Sequence, residues 1–180
     1  MAIEFREIPG LSIVPNSISD EDEERLVNLI QQGVWAPGPG PSKRQVQQYG
    51  KLFDHHKRKF GDTKPIPEWL LQIAKQMELP IPENVIISKY EPGEGVPQYT
   101  DTEYFGEVLA SLSLVSATSI DFKFGTLEHS IWLEPRTLLK LSGEVRHRWT
   151  HGIASRLVDV VNGEKINRCL RYSITFRTFA

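Results

Sequence analysis

The segment LRYSITFRTF at residues 170–179 alternates in a way that bears on chemistry. On an extended strand Leu170, Tyr172, Ile174 and Phe176 share one face, and Arg171, Ser173, Thr175 and Arg177 share the other. If the second face meets solvent, this is an ordinary amphipathic strand, and pattern alone favours that reading. If it lines an interior, two guanidiniums enter a cavity and need an anionic partner, because unpaired buried charge is costly. A small dicarboxylate suits such a site, since arginine grips carboxylates bidentately. His151 in RHRWTHGI follows a strand-like stretch, and His147 is no worse placed by spacing. Asp101 lies in the turn-rich VPQYTDTEYFG. A carboxylate and a distant histidine can both ligate a divalent metal, but a pair of them is weak evidence alone.

A second constellation is basic. Residues 43–60, KRQVQQYGKLFDHHKRKF, carry Lys43, Arg44, Lys51, Lys57, Arg58 and Lys59 against Asp54. Interleaved with Tyr49, Phe53 and Phe60, such a stretch can track a phosphate backbone of RNA or DNA and stack a base. The plainer alternative is a solvated surface loop whose aromatic residues anchor it to the core.

The elements that position these residues follow from the rest of the chain. Its 180 residues carry 21 basic and 23 acidic side chains, a formal charge of −2, with 39% hydrophobic and 24% charged residues. That composition is globular and the length suits one domain with a sizeable core. Cys169 stands alone, which excludes an intrachain disulfide and a multi-cysteine zinc site. No apolar stretch approaches the roughly 18 residues needed to span a bilayer, and MAIEFREIPG lacks the pattern of a secretory signal. An intracellular protein, cytoplasmic or nuclear, is expected.

Ser19 is a candidate N-cap, and the acidic run DEDEE after it suits the positive end of a helix running to about Gln32 and burying Leu26, Val27 and Ile30. The Pro/Gly-rich residues 34–42 form an irregular loop. A second helix is expected from Pro67 to Met77, with Trp69, Leu70, Ile73, Ala74 and Met77 on one face. From Asn84 the period becomes two. Short β-branched or aromatic runs at 85–90, 108–115, 119–124, 130–133, 137–142, 154–161 and 170–179 are separated by turn residues, with Asn162-Gly163 a strong hairpin signal. Many short strands without intervening helices point to a sandwich, barrel or jelly roll, with the N-terminal helices against one side.

Taken in order, KYEPGEGVPQYTDTEYFGEVLASLSL, LEPRTLLKLSGEVRHRWTHGI and LRYSITFR resemble the AlkB family of Fe(II)- and 2-oxoglutarate-dependent dioxygenases, and most of all its tRNA-modifying branch. The resemblance covers residues 44 to 177 and implies a mainly β, jelly-roll (double-stranded β-helix) fold. It implies one AlkB-like domain over 1–180, with helices and a substrate lid in 1–83 and the jelly-roll core in 84–180. It makes Asp101 and His151 iron ligands. Arg171 and Tyr90 would hold 2-oxoglutarate, with Arg177 near the iron end and Ser173 on the same inward face. Arg44, Gln48 and Tyr49 resemble part of a lid over the nucleotide pocket. With this resemblance the inward-facing reading of Arg171 and Arg177 becomes the better one.

The sequence departs from the family at Tyr99, which stands where the first histidine of the iron motif belongs. Gln98 and Thr100 beside it are also unlike the family, and Ser88 replaces an asparagine two residues before Tyr90. Neutral imidazole suits Fe(II), whereas a phenol, with an ordinary pKa of about 10, must lose its proton to ligate strongly. Three functions follow: an oxygenase of an alkylated or modified nucleobase, whose iron ligation Tyr99 alters; an AlkB-like nucleic-acid or protein binding module without turnover; and an oxygenase of a small molecule or protein side chain.

Overall fold

The computed structural model describes residues 1–54 and 59–180, with nothing further said of the side chains of Asp54 and Lys59. In chain order the elements are β1 (Ile3–Glu4), β2 (Leu11–Val14), α1 (Asp20–Gln31), β3 (Ala36–Pro37), β4 (Gln45–Asp54), β5 (Lys59–Asp62) and α2 (Glu68–Gln76). There follow β6 (Asn84–Tyr90), β7 (Val96–Tyr99), β8 (Leu109–Leu114), β9 (Thr118–Phe124), β10 (Leu127–Leu133) and β11 (Leu138–Leu141). The chain ends with α3 (Gly143–His147), β12 (Thr150–Ile153), β13 (Val158–Val161), β14 (Glu164–Asn167) and β15 (Arg171–Arg177).

Most strands belong to two antiparallel sheets. The major sheet runs β1-β2-β11-β8-β15-β6-β4-β3, with β5 paired to β4, and the minor sheet runs β10-β9-β12-β7. Both helices expected from the sequence form. Ser19 caps α1 by accepting from the Asp22 N–H at 3.1 Å, and Leu26 and Ile30 are buried while Val27 is only half-buried. Helix α2 buries Leu70, Ile73 and Ala74, and the two helices pack with Val85, Ile87, Leu112, Tyr172, Ile174 and Phe176 on one face of the major sheet. A second core, built on Tyr90, Leu109, Leu139, Ile120, Phe122, Trp149 and Ile153, fills the space between the two sheets. The last strand is therefore split as its alternation requires. Its apolar residues face the helices, and Arg171, Ser173, Thr175 and Arg177 face the gap between sheets.

The Asn162-Gly163 hairpin forms, pairing Val161 with Glu164, and both turn residues take positive φ (51° and 82°), as a type I′ turn demands. Elsewhere the structure corrects the expectation. The run 154–161 is a strand only from Val158. His151 lies inside β12 rather than after a strand. Residues 36–37, expected to be irregular, pair with β4. The ten-residue β4, in a stretch expected to be a loop or lid, pairs with β6 from Gln45↔Lys89 to Gly50↔Asn84. Its alternation is masked because Gln47, a polar residue, is buried. Gln47 donates to the Ile30 carbonyl at 2.8 Å and accepts from the Tyr49 hydroxyl at 2.9 Å.

Candidate functional site

A cavity of about 80 Å3 lies between the two sheets. Strand β6 contributes Ser88 and Tyr90, β15 contributes Arg171, Ser173 and Arg177, β7 contributes Tyr99, β12 contributes His151, and Asp101 and Arg44 come from the flanking loops. Of the residues singled out in the sequence, Asp101, His151, Tyr99, Tyr90, Arg171, Arg177, Ser88, Ser173 and Arg44 thus line one space. Tyr49 does not, because alternation along β4 turns it to the helix side, where it packs on the first core. Gln48 is half-buried and is not part of the cavity wall. The segment that resembles a lid is therefore largely a strand of the major sheet.

At one end stands Arg171, 5% exposed, which donates through Nη2 to the Ser113 hydroxyl at 2.8 Å and lies 5.4 Å from the centre of the Tyr90 ring. Its Nε and Nη1 have no hydrogen-bond partner among the described residues. Burial pulls the pKa of this guanidinium below the ordinary arginine value. Such orphaned donors fit a carboxylate. Ser88 and Ser173 sit directly opposite each other beside it, where β6 pairs with β15.

At the other end Arg177 Nη2 donates to Asp101 Oδ1 at 2.8 Å, and its Nη1 donates to Asn84 at 3.2 Å. Asp101 Oδ2 is 3.5 Å from His151 Nε2, too long for a good hydrogen bond. Burial, followed by the nearby Arg177 and Arg146, outweighs Asp101 and holds His151 below the ordinary histidine pKa, so its imidazole is neutral at pH 7. Its Nδ1 has no partner among the described residues. Tyr99 is the direct cross-strand partner of His151, with ring centres 4.5 Å apart. The loss of water around the Tyr99 phenol, and then the Asp101 carboxylate, push its pKa above the ordinary tyrosine value.

These residues fit the parts of an iron and 2-oxoglutarate site unequally. The Arg171 end offers a buried cation with two unpaired donors, as a carboxylate requires. The metal end offers Asp101 and neutral His151 but a protonated phenol as third neighbour, and no three His, Cys, Asp or Glu cluster for a metal among the described residues.

The sequence reading missed Arg146. It is 2% exposed and donates to four backbone carbonyls: Gly106 from Nε at 3.2 Å, Asp101 from Nη1 at 3.0 Å, and Thr102 and Phe105 from Nη2 at 2.7 and 3.0 Å. This fork clamps the loop that presents Asp101. Its sequence signal is slight, since its partners are main-chain atoms. The unusual Gln98 also finds its reason here. It turns to the outer side of β7, donating to the Asp121 carbonyl at 3.1 Å and accepting from Thr150 at 2.8 Å, while Thr100 donates to the Trp149 carbonyl at 2.9 Å.

Of the basic stretch, Lys51 pairs with Glu83 at 2.7 Å. Phe53 and Phe60 pack with Tyr104 and Phe179 in an aromatic cluster, with Phe60 still 53% exposed. Lys57 and Arg58 lie outside the described residues.

The model of the 2OG-Fe(II) oxygenase superfamily matches residues 15–177. An uncharacterised protein, L905, of Acanthamoeba polyphaga mimivirus is 32% identical over 188 residues, covering 96% of this chain and 86% of that protein. The Mus musculus tRNA (carboxymethyluridine(34)-5-O)-methyltransferase ALKBH8 is 31% identical over 175 residues, covering 87% of this chain. The match spans only 26% of the mouse protein. Among solved structures, that of OsALKBH1 superposes with a TM-score of 0.76 at 18% identity, covering 99% of this chain and all of the other, and so shares the fold. No helix among the described residues is long and apolar enough to cross a membrane.

Proposed function

The chain belongs to the 2OG-Fe(II) oxygenase superfamily, whose cofactors are Fe(II) and 2-oxoglutarate, and from that premise we propose that it oxidises an alkylated or modified nucleobase in RNA or DNA. The observation that carries this reading is the pairing, in one cavity, of a buried arginine with two orphaned donors and a carboxylate–imidazole pair at the opposite end. When bound, the iron and 2-oxoglutarate would supply the chemistry by which dioxygen gives one oxygen atom to succinate, with loss of CO2, and the other to a substrate carbon. Arg171 would neutralise the far carboxylate of 2-oxoglutarate, aided by Tyr90 and the Ser88–Ser173 pair. Asp101 and His151 would hold the metal, with Arg177 fixing the carboxylate and Arg146 its loop. The nucleic-acid part of the proposal is supported by the AlkB-type relatives, the mouse one being named for action on tRNA. The basic residues of 43–60 offer phosphate contacts.

Tyr99 favours a second reading, a binding module that keeps the cavity without turnover, because a protonated phenol is a poor donor to Fe(II). Calorimetry with 2-oxoglutarate, with and without Fe(II), and succinate measured in the presence of an alkylated RNA oligonucleotide separate the two. The oxygenase reading expects binding and RNA-stimulated succinate. Arg171→Ala should weaken 2-oxoglutarate by about 2–5 kcal/mol, or about 30- to 5,000-fold. Wild type that binds 2-oxoglutarate but forms no succinate is the binding module. Wild type indifferent to 2-oxoglutarate refutes both roles for Arg171.

A further inference from the structure

We propose that Asn84 is a positioning residue for the metal-binding carboxylate: it draws off one arm of Arg177, so that this arginine takes a single oxygen of Asp101 and leaves the other for the metal. The inference rests on the reading above in which Asp101 and His151 hold the metal.

Arg177 and Asp101 are both nearly buried, with 10% and 6% of their side chains exposed. A guanidinium free to choose its geometry forks onto a carboxylate with two parallel hydrogen bonds. Such a fork would consume both Asp101 oxygens. The structure shows a one-armed contact instead. Nη2 donates to Asp101 Oδ1 at 2.8 Å, Nη1 donates to the Asn84 side-chain oxygen at 3.2 Å, and Nε has no partner among the described residues. Asp101 Oδ2, 3.5 Å from His151 Nε2, is the oxygen left open. The Phe105 ring lies 4.7 Å from the Arg177 guanidinium carbon, but a ring face offers no directional acceptor that would choose between these arrangements. Asn84 does.

Asn84 can hold Arg177 because its own amide is fixed. Alternation on β6 puts it on the face of Ile86, Ser88 and Tyr90, and it is 3% exposed. Its register partners are Arg177 on one side and Gly50 on the other. A guanidinium only donates and a carbonyl only accepts, so the side-chain oxygen faces Arg177 while the nitrogen donates to the Lys51 carbonyl at 2.7 Å. Gly50 lets β4 come close enough for that bond. Its φ is +80°, and a Cβ there would fall 2.2 Å from the Glu83 carbonyl oxygen, which accepts from the Lys51 N–H at 2.7 Å. Position 84 thus needs an acceptor for Arg177 and a donor for Lys51 at once, which an amide supplies. Aspartate keeps the first and loses the second, and leucine keeps neither.

The test titrates Co(II), as a stand-in for Fe(II), into the full chain by calorimetry. Asn84→Leu should bind Co(II) about tenfold or more weakly than wild type, the scale for losing a partner outside the ligand set. It should bind 2-oxoglutarate without metal as wild type does, because Arg171 lies at the opposite end of β15. Asn84→Asp should bind Co(II) no more weakly than wild type yet melt lower, since its carboxylate still holds Arg177 but faces the Lys51 carbonyl. In an Arg177→Met background, Asn84→Leu should leave Co(II) affinity unchanged. Should Asn84→Leu fail to fold, Asn84→Ser, too short to reach Arg177, is read the same way. Equal Co(II) affinity of wild type and Asn84→Leu overturns the proposal. So does an equal loss in Asn84→Asp, or a loss that persists with Arg177→Met, because Asn84 would then support the frame alone. Wild type that takes up no Co(II) refutes the metal-binding reading of Asp101 and His151, and the proposal with it.

Discussion

Replacing Tyr99 with His places a neutral nitrogen donor directly across β7 and β12 from His151, and its effects on stability should have opposite signs without and with metal. Without metal, the variant loses the ring contact between Tyr99 and His151, whose centres are 4.5 Å apart. Aromatic pairs contribute about 0.5–1.5 kcal/mol beyond area burial, and for a ring 37% exposed about 1 kcal/mol is an upper figure. In a chain of this size that lowers the melting temperature by about 2–4 °C. With Fe(II), the third protein donor should tighten binding by about 100-fold or more, because removing even an outer partner of a ligand changes metal affinity by about 10–100-fold. At a free ion concentration near 100 times the variant's Kd, binding adds about 2.7 kcal/mol to the folded state. That should lift the variant by about 5–11 °C over its metal-free form, while wild type moves little. Anaerobic thermal melts of both proteins, with and without Fe(II), read the sign directly. A Tyr99→His protein whose melting temperature ignores Fe(II) would show that Asp101 and His151 are not disposed to share a metal with residue 99. The scaffold reading would then stand.

The remaining predictions concern the frame and the basic stretch. Arg146→Met should destabilise the fold by about 3 kcal/mol or more, because it leaves four backbone carbonyls without their donor at about 1–3 kcal/mol for each buried group unsatisfied, and Arg146→Lys should not rescue it because four carbonyls need the planar fork; urea denaturation checks both. Burial alone would raise the carboxyl of Asp159, but hydrogen bonds from Arg168 and Arg156 outweigh it and hold its pKa below the ordinary value. Its contribution is therefore complete above the unfolded value of about 3.9 and lost as pH falls through the lower folded value. Asp159→Asn should lower stability near neutrality and flatten the acid limb, which denaturation midpoints at several pH values will read. Replacing Lys57, Arg58 and Lys59 together should weaken single-stranded RNA binding similarly across sequences and reduce the salt slope by about 2, at about 0.7 per phosphate contact; an unchanged slope returns the stretch to a solvated surface.

What could be read in the sequence was whatever burial writes periodically. Alternation in β15 separated the helix-facing Tyr172, Ile174 and Phe176 from the cavity-facing Arg171, Ser173 and Arg177, and the positive-φ pair Asn162-Gly163 marked its hairpin. Strand β4 escaped because the buried side chain of Gln47 is satisfied internally, which breaks the polar–apolar rhythm. Strand β12 escaped because four residues, THGI, are too few to show a period. Asp101, His151 and Tyr99 are silent as single residues, and only the ordered set of segments around them pointed to one site. Arg146 left almost no trace, since every acceptor it serves in the 101–106 loop is a backbone carbonyl and so independent of residue type.

The three residues that depart from the family on β7 and just after it are mutually consistent in space. Gln98 and Thr100 tie the strand outward and forward, to Asp121 and Thr150 and to Trp149. Alternation then leaves Tyr99 pointing inward against His151. The cavity departs from the family at Tyr99 and at Ser88, while Asp101, His151, Arg171 and Arg177 are kept. The energetics of the remaining cavity point the same way. Arg171 and Arg44 are each buried with donors that have no partner among the described residues, an arrangement that opposes folding unless an acceptor completes it. Filling these positions with apolar side chains of similar volume would be neutral or stabilising in a protein with nothing to bind. The buried guanidinium of Arg171 is therefore best explained by an anionic ligand, whatever Tyr99 does beside Asp101 and His151.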